Sequence, residues 1–194
     1  MPSKKNSAEA NDTKNSALLL LDLITDFEFE DGDKLLKATI PAAKRIAALK
    51  RKANGSGIPV VYVNDNWGKW KEDFKTIVRH FAKPSAKGSE IVSLLKPDAD
   101  DFYILKPHRS AFYSTSLMLL LENLRVKKLI ITGVTTDICV IFSANDAYMR
   151  GFEIHVPEDC VAAVDPEHHE TAMNLIRRVL KADTSPSTEI SFDS

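Results

Sequence analysis

An aspartate, a lysine and a cysteine each stand at or just past the end of an apolar run in this 194-residue chain. Asp22 closes Ala17-Leu18-Leu19-Leu20-Leu21, Lys106 closes Phe102-Tyr103-Ile104-Leu105, and Cys139 follows Leu129-Ile130-Ile131-Thr132-Gly133 by six residues. Together they form a workable nucleophilic set without a histidine. The carboxylate can take the thiol proton, the sulfur can attack a carbonyl, and the ammonium can hold the two negative groups together. Thr136 and Asp137 are acceptable N-caps, which puts Cys139 in the first turn of a helix. There the helix dipole and free N–H groups favour thiolate over thiol, and the same N–H groups can receive an oxyanion. Each residue also has an ordinary reading. A lone cysteine in an apolar helix is commonly a small buried hydrophobe, Asp22 can cap a turn, and Lys106 before Pro107 can be an exposed strand end. Cys160, in Glu158-Asp159-Cys160-Val161, reads as structural.

The three can meet only if the elements carrying them are parallel. The apolar runs near residues 17–21, 58–63, 101–106, 127–133 and 152–156 suit strands buried on both faces, and a weaker sixth falls within 187–192. Between them lie helical patterns over about 33–53, parts of 72–96, 116–123, 137–150 and 166–181. Pro41 predicts a kink or late start in the first of these, and Gly151 suits a C′ position. Alternation of this kind predicts a three-layer α/β/α Rossmann-like fold with a mainly parallel sheet of five or six strands. Right-handed crossovers then place the strand C-termini, and with them the ligand crevice, on one edge. Residues 1–16 are polar and read as a disordered tail before a single domain over 17–194.

Composition narrows the class. Apolar residues make up 44% and charged residues 27%, with 27 acidic against 26 basic side chains, so no basic excess points to nucleic acid. Two cysteines do not make a disulfide framework, the N-terminus lacks a secretory signal's apolar core, and no run approaches a membrane span. A soluble cytoplasmic protein with no membrane partner is the expectation.

Four pieces in this order and spacing resemble the isochorismatase-like hydrolases, which include nicotinamidases and N-carbamoylsarcosine amidohydrolase. They are Leu-Leu-Leu-Leu-Asp22-Leu-Ile-Thr-Asp26-Phe27; Lys106-Pro-His-Arg-Ser110-Ala-Phe112-Tyr-Ser-Thr115; Gly133-Val-Thr-Thr-Asp137-Ile-Cys139-Val140; and Ala144-Asn-Asp146-Ala147 with Gly151-Phe152 and Glu158-Asp159. The resemblance spans about residues 17–181. It implies that Asp22, Lys106 and Cys139 are catalytic, with Cys139 attacking an amide or related carbonyl, Asp22 serving as base and then acid, and Lys106 supporting the charge. It also implies a cis bond between Val134 and Thr135, an oxyanion hole from the N–H groups of Thr135 and Cys139, an acyl-thioester intermediate, and a homodimer or homotetramer.

The departures carry information too. Ile24 stands where many members have glutamine. Nicotinamidases hold a metal with an Asp-x-His after the second strand, and here Asp65 is followed two residues on by Trp67. Tryptophan cannot ligate zinc, so no metal and no cofactor are expected. His80 and His108 carry no ligand spacing, and His168 and His169 read as structural. Phe27, Trp67, Phe112 and Tyr113, with Thr136, are candidate pocket residues, although Phe112 fits the core equally well, and aromatic walls suit a small planar or apolar acyl group. The reading is cleavage of a C–N bond in a small amide, ureide or carbamoyl compound. The alternatives are vinyl-ether hydrolysis of the isochorismatase kind and a non-catalytic binding protein that keeps the fold.

Overall fold

The structure is a computed structural model that describes residues 15–66 and 73–192. Strand β1 (Ser16–Leu21) is buried along its whole length, which is why its leucines need no polar alternation. It pairs in parallel with β2 (Val60–Asp65) on one side and β4 (Lys128–Val134) on the other. Beyond β2 lies β3 (Phe102–Lys106), and beyond β4 lie β5 (Glu153–His155) and the two-residue β6 (Val161–Ala162). The order β3-β2-β1-β4-β5 reverses direction at β1, so the crevice at a switch point falls between the C-terminal ends of β1 and β4.

Helices cover both faces. On one side α1 (Gly32–Gly55), α2 (Phe74–Phe81) and α3 (Ser89–Leu94) bury Leu35, Ile46, Phe74, Ile77 and Ile91 against Leu18, Leu20 and Tyr62. On the other, α4 (Leu117–Asn123), α5 (Ile141–Met149) and α6 (Pro166–Arg178) bury Leu121, Ala144, Ala147, Met173 and Ile176 against Leu19, Leu21 and Ile131. Alternate residues of β1 thus feed different cores, as the period-2 geometry of a strand requires. The result is the three-layer α/β/α arrangement expected from the sequence.

Four details depart from the expectation. The sixth strand is β6, whereas residues 187–189 form a 3₁₀ turn, tied down by Asp159, whose carboxylate accepts from both the amide and the hydroxyl of Ser187 at 2.7 Å. Helix α1 runs through Pro41 without interruption. Ser16, polar enough to read as tail, opens β1, and Asn15 accepts a 2.6 Å hydrogen bond from the amide of Lys127; the remainder of that tail lies outside the described residues. The helix expected over 137–150 is divided into a π-helical turn, Thr136–Val140, followed by α5. Among the described residues no helix is long and apolar enough to cross a membrane.

Candidate active site

Asp22 follows the last residue of β1 and leaves the strand in a left-handed conformation, φ 51°. Its amide donates to the Val63 carbonyl at 3.0 Å, and its Oδ1 accepts from the Asp65 amide at 2.7 Å. These two bonds to β2 fix the carboxylate at the sheet edge, in a conformation uncommon for a residue with a side chain.

Lys106 ends β3 and is fully buried, 0% exposed. Its Nζ lies 2.9 Å from Asp22 Oδ2, 3.7 Å from Asp65 Oδ2 and 3.5 Å from Cys139 Sγ. Asp65, at the end of β2, stands opposite Lys106 in the strand register. Three neighbouring strand ends and the turn after β4 therefore converge on one ammonium.

Cys139 reaches this point because of how β4 ends. Gly133 pairs with Leu21 at φ 114°, and a Cβ there would meet the Leu21 carbonyl oxygen at 2.1 Å. Only glycine permits so close an approach of β1 and β4. The Val134–Thr135 peptide that follows is cis, as the resemblance implies. The chain then enters the π-turn, in which Val140 N–H bonds to the Thr135 carbonyl at 3.1 Å. Buried Thr136 anchors the turn through a 2.9 Å hydrogen bond between its hydroxyl and His169 Nδ1 on α6.

Burial governs the protonation states. It pushes the Asp22 carboxyl above its ordinary value, against the opposing pull of Lys106 and of hydrogen bonds from Cys139, Lys106 and Asp65. It also works against the Lys106 ammonium, but Asp22, Cys139 and Asp65 outweigh it and hold that group above the usual lysine value. The Cys139 thiol is pushed up to about 12 by burial and then by Asp22, with Lys106 only partly offsetting them. The expectation that a helix start favours thiolate is thus reversed. The sulfur is enclosed beside a carboxylate, and both disfavour its ionised form. At neutral pH the resting site holds a thiol, beside a carboxyl whose proton affinity burial also raises.

A cavity of about 240 Å³ opens onto the sulfur, lined by Asp22, Thr25, Phe29, Leu35, Asp65, Val134, Thr135, Ile138 and Cys139. Thr135 Oγ1 is buried and has no hydrogen-bond partner among the described residues. The other candidate pocket residues stand elsewhere. Phe27 is fully buried behind the wall and stacks on Phe29 at 6.3 Å. Phe112 packs into the core between Phe152 and the Arg150 guanidinium, and Tyr113 is 59% exposed against His108. Thr136 faces His169, and Trp67 lies outside the described residues. Ile24, which replaces a common glutamine, points into the core, and its carbonyl accepts from the Asn64 side-chain Nδ2 at 2.8 Å. Thr25, Phe29, Leu35 and Ile138 escaped the sequence reading. Their proximity to Asp22 and Cys139 in the chain was the only available signal. Among the described residues no three His, Cys, Asp or Glu side chains group as metal ligands.

The isochorismatase domain model matches residues 16–185. An uncharacterized isochorismatase family protein from Bacillus subtilis, YaaI, is 39% identical over 91% of this chain and 96% of its own length. Among solved structures, N-carbamoylsarcosine amidase from Thermoplasma acidophilum superposes with a TM-score of 0.70 at 28% identity, covering 91% of this chain and 99% of that one. The nicotinamidase SaPncA from Staphylococcus aureus gives 0.69 at 25% identity, covering 89% and 99%. Sequence and fold agree over nearly the whole domain, and the chain belongs to the isochorismatase family of hydrolases.

Proposed function

We propose that the protein hydrolyses a C–N bond of a small amide, ureide or carbamoyl compound through a thioester on Cys139. The observation that carries this reading is the contact of buried Lys106 Nζ with both Asp22 (2.9 Å) and Cys139 (3.5 Å), two residues that line one cavity. In the free enzyme the sulfur is protonated, so attack and deprotonation go together. The thiol proton passes to Asp22 as the S–C bond forms. The raised proton affinity of Asp22 favours this transfer, while the raised thiol pKa opposes it until the forming S–C bond acidifies the sulfur. Lys106 stays cationic throughout and compensates whichever of the two neighbours is negative.

We assign the oxyanion to the backbone N–H groups of Thr135, which precedes the π-turn, and Cys139, within it. Asp22 then returns its proton to the leaving nitrogen, and ammonia or an amine departs. A water molecule, deprotonated by the same carboxylate, cleaves the thioester and regenerates the thiol. No step requires a metal, in keeping with tryptophan at position 67, where a nicotinamidase-type ligand set needs histidine. The test is ammonia release from a panel of small amides, ureides and carbamoyl compounds by the purified full chain. Release from at least one member supports the reading, and a well-folded protein inert toward every class in the panel contradicts it.

A further inference from the structure

The π-turn that carries Cys139 is gripped from outside by the first turn of α6, and the meaning of that grip for the chemistry rests on the C–N hydrolase reading above. Within the turn, Thr136–Val140, the amides of Ile138 and Val140 both donate to the Thr135 carbonyl at 3.1 Å. Lys106 reaches the sulfur from β3 at 3.5 Å. From the helices, the 2.9 Å bond between Thr136 Oγ1 and His169 Nδ1 is the one side-chain hydrogen bond that meets the turn among the described residues.

The start of α6 is itself locked. The Asp165 carboxylate accepts from the amides of Glu167 at 2.7 Å and His168 at 3.3 Å, and Pro166 opens the helix. The His169 amide donates to the Asp165 carbonyl at 2.9 Å, so its imidazole meets Thr136 from a fixed base. His168 beside it differs: its side chain is 69% exposed and lies 3.9 Å from Asp137, a pair that solvent screens. Thr136 is fully buried, and a buried hydroxyl stripped of its partner is costly. The turn can relieve that cost only by shifting. Cys139 lies three residues further along the same turn, so its sulfur and its N–H would shift too.

We infer that His169 is a positioning residue, whose hydrogen bond to Thr136 holds the π-turn so that the Cys139 sulfur stays beside Lys106 and Asp22 and its N–H faces the reacting carbonyl. It acts through Thr136 and takes no part in the proton transfers. Catalytic geometry is sensitive to such support, since a misplacement of about 1 Å can cost about a hundredfold in rate.

The experiment reads both cysteines of the full chain by mass after iodoacetamide treatment at pH 8. In the wild type the Cys139 thiol is pushed up to about 12 by burial and then by Asp22, so it reacts slowly. His169→Leu should free the turn and speed alkylation of Cys139 by at least about tenfold, while fully buried Cys160 stays protected. Cys160 separates the two roles, because a histidine that only stabilised the fold would expose both cysteines together when lost. His169→Asn, whose amide can still hydrogen-bond near the place of Nδ1, should return the rate to within about threefold of wild type. Thr136→Val should match His169→Leu, with no further gain when the two are combined, and it carries the test if His169→Leu does not fold. His168→Leu should change the rate by less than about twofold. With an amide substrate, His169→Leu should lower kcat by about ten- to a hundredfold and move KM by less than about threefold. Unchanged alkylation of Cys139, joint exposure of Cys139 and Cys160, an equal effect of His168→Leu, no recovery in His169→Asn, or an unchanged kcat would overturn the inference. Selective alkylation of Cys139 that His169→Asn reverses, in a protein that hydrolyses no amide of the panel, would uphold the positioning role and count against the hydrolase reading, so the two failures are separable.

Discussion

Replacing Lys106 with methionine should destabilise the fold strongly at neutral pH and much less in mild acid. The ammonium sits 2.9 Å from Asp22 and 3.7 Å from Asp65. At an effective dielectric constant near 20 these attractions are about 6 and 4 kcal/mol in gross terms, much of it offset by desolvation of the charges. Methionine keeps the apolar stem and removes only the cation, leaving buried Asp22 without its main partner. Loss of one member of such a pair costs about 3–5 kcal/mol. The carboxyl has an escape, because it can take up a proton. From the ordinary value of 3.8, holding that proton at pH 7 costs about 4 kcal/mol, and at pH 5 about 2 kcal/mol. The direction follows from linkage. Lys106 is the largest influence lowering the Asp22 pKa in the fold, so its removal moves that pKa further above the unfolded value. A raised carboxyl pKa penalises the fold above the unfolded pKa and relieves it as pH falls. The destabilisation should therefore shrink from about 3–5 kcal/mol at pH 7 to about 1–2 kcal/mol at pH 5, read from urea unfolding of both proteins at constant ionic strength. Asp22→Asn with Lys106→Met should recover most of the loss at pH 7. A difference below about 1 kcal/mol at every pH, or one that grows as pH falls, would refute this electrostatic account.

Asp22→Asn alone should abolish turnover yet speed alkylation of Cys139 by iodoacetamide at mildly alkaline pH, because the carboxylate that serves as base also raises the thiol pKa; slower alkylation would contradict that assignment. In the wild type, alkylation of Cys139 should keep rising with pH through about 10, without a plateau near neutrality, while fully buried Cys160 stays protected. Gly133→Ala should cost about 2–5 kcal/mol, because the new Cβ would overlap the Leu21 backbone at a φ that side chains avoid, and thermal unfolding measures it. Prolonged chelation should leave activity intact, since Trp67 occupies the position of a metal-binding histidine; activity lost to chelator and restored by zinc or manganese would contradict this.

The catalytic candidates were legible because their signal is topological. Fully apolar runs such as Leu18–Leu21 and Leu129–Ile131 announce strands buried on both faces, and a parallel sheet carries the residues that end them to one edge. The cavity wall was not legible, because it depends on backbone conformations that propensity does not forecast. Asp22, Phe27 and Asp31 all adopt positive φ without being glycine, and together they turn the segment that presents Thr25 and Phe29. Phe112 and Tyr113 looked like pocket aromatics because they follow Lys106 closely. The chain after β3 instead buries Phe112 under Arg150, where the ring gains a cation contact at 4.9 Å. The π-turn at Cys139 was hidden because an inserted residue in a helix leaves little trace in a short apolar pattern. The thiol was misjudged for a different reason. The dipole argument needs only the position of a residue in a helix, whereas the desolvation that opposes it requires knowing what surrounds the sulfur.

The central claim is that Cys139 forms a covalent acyl intermediate with Asp22 and Lys106 as its partners. It is tested most directly by quenching the enzyme in acid during turnover of an amide found in the panel and measuring its intact mass. The account predicts an adduct of the acyl group's mass that is released by hydroxylamine, maps to Cys139, and is absent from Cys139→Ala, whose turnover falls to background while its circular dichroism is unchanged. A well-folded Cys139→Ala variant that retained near wild-type turnover would contradict the thioester route and leave direct attack by water as the mechanism.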